Sequence, residues 1–120
     1  MQIGLKSKTK NFNLEVNNCN FLKRFVGLMF SRRENAKILL FDFKKQTRIP
    51  IHSFFVFFSF VVVWLDDQNN IRDFKIVKPF SFSVSSNKFF NKLIEIPIND
   101  KNKNIIDDLK ISRRWRERFK

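Results

Sequence analysis

The chain has no tyrosine, two glycines, three prolines, one cysteine and one histidine in 120 residues. Each shortage excludes something. With Cys19 alone, no intrachain disulfide can form, which fits a reducing compartment. With His52 alone, neither a Ser-His-Asp triad beside a nucleophile elbow nor a histidine-based metal site can be assembled from recognisable motifs. With so little glycine, the left-handed backbone positions that tight turns require must fall to other residues. Asparagine is the natural substitute and is plentiful, as at Asn17, Asn18, Asn69 and Asn70. No glycine-rich phosphate loop is present. The N-terminal stretch MQIGLKSKTK lacks the apolar core of a secretory signal. These absences point to a non-enzymatic protein without a cofactor, placed in the cytoplasm.

What the chain has instead is phenylalanine, 17 residues, within a 43% hydrophobic composition. That is enough apolar material for one packed core in a single small domain. The formal net charge is +13. Such a charge favours an anionic partner, either nucleic acid or an acidic surface, although the basic residues are spread over the whole chain and also serve solvation.

The densest apolar block runs from Ile51 to Leu65. As a helix its 15 residues would cover about 22 Å, short of a hydrocarbon core of about 30 Å. Its Phe, Val and Trp content favours strands instead. As a single strand it would reach about 50 Å. The block is therefore split near Ser59 into Ile51–Phe57 and Phe60–Asp66. Asp67 to Asn70 reads as a turn, and Ile71 to Val77 as the returning strand of a hairpin. Further strands are expected around Ile3–Leu5, Phe12–Val16, Ala36–Phe43, Phe80–Val84, Phe89–Ile96 and Leu109–Ile111. Helical spacing of Phe21, Leu22, Phe25 and Val26 before Gly27 predicts one short helix. Asn99 to Asp108 is expected to add one helical turn. Short strands with brief connections indicate a mostly β fold, an antiparallel β-sandwich or barrel.

Several motifs recur in a fixed order: Gly27-Leu28-Met29, Leu39-Leu40-Phe41-Asp42-Phe43, Ile51-His52-Ser53-Phe54, Val63-Trp64-Leu65-Asp66, Lys78-Pro79-Phe80 and Ile94-Glu95-Ile96-Pro97. Taken together, they resemble the domain-of-unknown-function family 192, small uncharacterised proteins of bacteria and archaea. The resemblance runs from about Ile3 to Ile111. It implies a jelly-roll-like β-sandwich and carries no activity. Relatives usually have a Met-Arg-Phe-Pro-Ile-Asp type segment where this chain has Val56 to Val61. The Arg and Asp positions are Phe57 and Val61 here, so any polar site built on that pair is lost.

Three readings of function follow. The Phe-rich run has large apolar residues on both faces of a strand, which serves either as core or as a contact for a protein partner, including a second copy. The basic tail at residues 113–120 extends the β domain of residues 1–112. It carries Arg113, Arg114, Trp115, Arg116 and Arg118, a combination suited to phosphates and stacked bases. His52 and Ser53 could line a small-ligand pocket, or His52 could be a buried structural histidine. Asp66 and Asp67 are adjacent in a strand and so point to opposite faces, which makes turn capping their expected role.

Overall fold

A computed structural model describes residues 1–7, 10–19, 28, 32–53, 55–81 and 83–118, with 111–118 described as backbone only. Its strands are β1 (Gln2–Lys6), β2 (Asn11–Glu15), β3 (Asn17–Asn18), β4 (Leu39–Thr47), β5 (Phe60–Leu65), β6 (Ile71–Val77) and β7 (Phe90–Pro97). A 3-10 turn (Asp100–Asn102) leads into helix α1 (Lys103–Arg118).

β1 and β2 form an antiparallel hairpin in strict alternation: Ile3, Leu5, Phe12 and Leu14 point inward, and their neighbours point out. The other strands make one five-stranded sheet in the order β3-β4-β7-β5-β6. Every pairing in it is antiparallel except that of β3 with β4. β5 lies between β7 and β6, and all six of its residues are buried. That explains its unbroken apolar sequence, because a strand covered on both faces has no solvent side for polar residues.

Two apolar layers enclose the sheet. On one face, Val61, Val63, Leu65, Phe74, Ile94 and Ile96 pack with the β1–β2 hairpin and with Ile106 and Leu109 of α1. On the other, Phe41, Phe60, Val62, Trp64, Val77, Phe90 and Leu93 pack under Leu28, Ala36, Val56 and Phe58 from irregular segments. The end of β7 is tied to the chain before β4. Asn99 Nδ2 donates to Arg33 O at 2.9 Å, and Arg33 Nε donates to Ile98 O at 2.9 Å. Asn99 also caps the 3-10 turn, its Oδ1 accepting from Asn102 N at 3.1 Å.

The mostly β fold, the break at Ser59 and the β5–β6 hairpin agree with the sequence reading. Asp66 closes that hairpin: its Oδ1 accepts from Gln68 N and Asn70 N, each at 2.9 Å, and its Oδ2 from Asn70 Nδ2 at 2.9 Å. Asn69 takes the left-handed position with φ 66°. Burial would raise the Asp66 pKa, but these hydrogen bonds, with Arg72 nearby, leave it below its ordinary value.

Other expectations are corrected. The described residues of 51–57 and 80–84 form no strand; one isolated bridge pairs Ile51 with Val84. Leu109–Ile111 is helical, and Asn99–Asp108 opens a 16-residue helix rather than a lone turn. Leu109 is needed on the helix face that meets the hairpin, so packing overrides its short-range strand signal. Eight strands in a jelly-roll arrangement are not seen among the described residues, which give five strands and two, with no closed barrel. The short helix expected at Phe21–Val26 lies outside the described residues.

Candidate binding surface

The irregular segments 48–59 and 78–89 cover one side of the sheet and meet at Ser53. This side chain is fully buried. Its hydroxyl donates to Lys78 O at 2.6 Å and accepts from Ser81 N at 2.6 Å. Its backbone adds three more links: Ser53 N to Ser81 O at 3.0 Å, Phe80 N to Ser53 O at 3.0 Å and Val56 N to Ser53 O at 3.2 Å. One serine thus satisfies the backbone of two loops that have no ladder of their own.

The loops hold two bulky residues in the left-handed region, Phe55 at φ 57° and Phe80 at φ 59°. Such a backbone costs about 1–2 kcal/mol for a residue with a Cβ, and turns normally place Gly or Asn there. Neither phenylalanine is buried in return. Phe55 is 48% exposed, Phe80 47% and Phe57 62%. Phe57 and Phe80 meet edge to face with centroids 5.3 Å apart. Between them, Val56 and Phe58 turn inward to the core. The loop therefore alternates, sending Phe55 and Phe57 out while Val56 and Phe58 anchor it.

No aspartate or glutamate occurs in residues 48–59 or 78–89, whereas Arg48, Lys78 and Lys88 do. All three are exposed. Arg48 stacks over the Phe89 ring at 5.4 Å and reaches Ser86 O at 3.4 Å. The surface is thus aromatic and cationic, with no acid of its own.

The structure brings only part of the sequence-derived site together. Ser53 is the hub of the loops, with its hydroxyl used internally. His52 beside it is exposed, not buried. Arg113, Arg114, Trp115, Arg116 and Arg118 lie along the backbone of α1, which runs unbroken past Ser112; their side chains are outside the description, as is Phe119. Among the described residues, no group of three His, Cys, Asp or Glu side chains gathers as a metal site, and no helix is long and apolar enough to cross a membrane.

Glu95 and Trp64 escaped the sequence reading. Glu95 is 7% exposed in the middle of β7, where burial pushes its carboxyl up to about 8. The available signal was a lone acid inside Leu93-Ile94-Glu95-Ile96-Pro97, a charge with no polar neighbour in an apolar strand.

Residues 2–109 match the family DUF192, described as Uncharacterized ACR. The chain belongs to this family. A UPF0127 protein of Pyrococcus furiosus is 35% identical over 81 residues, which is 65% of this chain and 68% of that protein. A UPF0127 protein of Thermococcus kodakarensis is 33% identical over 79 residues, 65% of this chain and 50% of that one. The chain's match thus spans about two thirds of the first relative and half of the second. Among solved structures, a putative transcription regulator from Sinorhizobium meliloti aligns with a TM-score of 0.71 at 19% identity, covering 87% of this chain and 84% of that one. A protein of unknown function from Novosphingobium aromaticivorans aligns with a TM-score of 0.67 at 7% identity, covering 86% and 76%. At these identities the structures share the fold with this DUF192 protein. The family resemblance read from the motifs is therefore correct.

Proposed function

We propose that this DUF192 protein is a non-catalytic interaction module. Its contact is the exposed surface of Phe55, Phe57 and Phe80, and its partner is a protein with an acidic, partly apolar face. The observation that carries this reading is the left-handed backbone of Phe55 and Phe80. Two large apolar side chains are held in a costly conformation that leaves each about half exposed, and exposed aromatics anchor protein contacts. The absence of acids from both loops, on a chain of net charge +13, supports an acidic partner through charge complementarity. The same charge opposes a homodimer through this face, since two acid-free surfaces would meet.

The experiment is affinity capture with the wild-type chain and with Phe57→Ser/Phe80→Ser. A captured protein is then purified and its affinity measured at rising salt. The expected result is binding that weakens at least tenfold in the double variant and falls with salt, since hot-spot aromatics contribute about 2 kcal/mol or more each. Equal binding by both forms sinks the reading.

A second reading, nucleic-acid association through the C-terminal arginines, is favoured by a continuous helix bearing Arg113, Arg114, Arg116 and Arg118. Salt-steep binding of a uridine 20-mer that survives the Phe57/Phe80 double change but is lost on truncation after Ser112 would replace the first reading by the second.

A further inference from the structure

Among the described residues, two buried side-chain polar atoms have no hydrogen-bond partner: Trp64 Nε1 and Glu95 Oε1. They are not scattered. Val62 faces Glu95 across the β5–β7 ladder, and Trp64 faces Leu93. Since alternate residues share a face, Trp64 and Glu95 stand on the same face as diagonal neighbours, a relation that places Cα atoms about 7–8 Å apart. On its other side Glu95 meets Leu39 of β4. Val56 and Phe58 of the Ser53-anchored loop lie in the apolar layer that covers this face.

The charged groups nearest in register are already engaged. Lys75 faces Val62 from β6; its Nζ donates to Ser85 O at 2.6 Å and lies 5.9 Å from the centre of the Trp64 ring. Asp73 faces Trp64 and accepts from Asn87 N at 3.3 Å. Among the described residues no cation is paired with Glu95, which stands as a neutral acid, consistent with the pKa that burial raises.

The pair offers a defined set of unused groups. The indole N–H and the acid O–H are donors, and the acid carbonyl is an acceptor. An ammonium cannot accept from either donor. A carboxylate has nothing to give the acid carbonyl and would bring an unpaired charge into an apolar layer. A primary amide matches all three: its oxygen takes both donors and its N–H meets the carbonyl.

We propose that Glu95 and Trp64 form the polar floor of a binding site, beneath Val56 and Phe58, for a small neutral molecule carrying a primary amide. The amide oxygen accepts from Trp64 Nε1–H and from the Glu95 acid, and the amide N–H returns to Glu95. This site is separate from the outer Phe55–Phe57–Phe80 surface and does not depend on it.

The test is titration of the full, nitrogen-labelled chain with benzamide, benzoate and benzylamine, followed on the indole N–H signals. Trp64 and Trp115 are the two tryptophans, so Trp64→Phe assigns the peaks. The expected result is a saturable shift of the Trp64 signal with benzamide alone. Glu95→Met should weaken it at least tenfold, while Glu95→Gln, which keeps one donor and one acceptor, should retain it. If Glu95→Met does not fold, ligand-observed saturation transfer to Trp64→Phe replaces it, with benzamide affinity expected to fall. No shift with any probe means that solvent alone fills the site and overturns the proposal, as does preference for benzoate or wild-type affinity in Glu95→Met.

Discussion

Glu95 shows how one residue can set the pH response of the fold. Its ordinary value is 4.5 and its folded value about 8. Below pH 4.5 the acid is neutral in both states, and its burial carries no ionisation penalty. Between the two values the unfolded chain ionises while the folded chain holds its proton, so stability falls as pH rises, and the loss is complete above the folded value. On that difference the penalty is at most about 5 kcal/mol. Glu95→Gln removes the titration. We expect its stability relative to the wild type to rise steadily from pH 5 to pH 8, as read by urea unfolding at several pH values. A constant difference across that range would mean that Glu95 is ionised in the folded protein.

The elements divide by how their sequence signal compares with their surroundings. β1, β2 and the β5–β6 hairpin were legible because alternation, or an apolar run closed by Asp66 and Asn70, agrees with how they are buried. α1 was not. Its polar segment has few apolar residues; among its described side chains, Ile106 and Leu109 are buried where it meets the hairpin and Ile105 is partly buried beside them. Such sparse anchoring is invisible to periodicity and depends on tertiary packing. Segments 51–57 and 80–84 have strand composition but act as covering loops, since Ser53 and the single Ile51–Val84 bridge, rather than a strand ladder, satisfy their backbone. The Ser53 hub and the Glu95–Trp64 pair depend on cross-strand register, which no single segment encodes. Leu109→Ala tests the helix anchor. A loss of about 2–5 kcal/mol is expected from the cavity it leaves, seen as a lower denaturation midpoint. A negligible loss would show that α1 contributes little to the core.

At the scale of the whole molecule, the formal charge is +13. Met1 forms an ion pair with Glu15 at 2.7 Å, and Lys10 forms one with Asp108 at 3.1 Å. Both are exposed, and exposed pairs contribute only about 0–1 kcal/mol. A net charge this far from zero repels itself, and added salt screens that repulsion. Thermal midpoints should rise when sodium chloride goes from about 10 mM to several hundred mM, over which the screening length drops well below the size of the domain. A falling midpoint would show that the pairs dominate instead.

The sheet order also bears on how the chain comes off the ribosome. β7 sits between β4 and β5, yet it is made after both of them and after β6. Until residues 90–97 emerge, β4 and the β5–β6 hairpin have no common neighbour, and their inner edges stand open. Edges of that kind recruit other chains. One inserted strand thus joins two separate pieces and seals both edges at once.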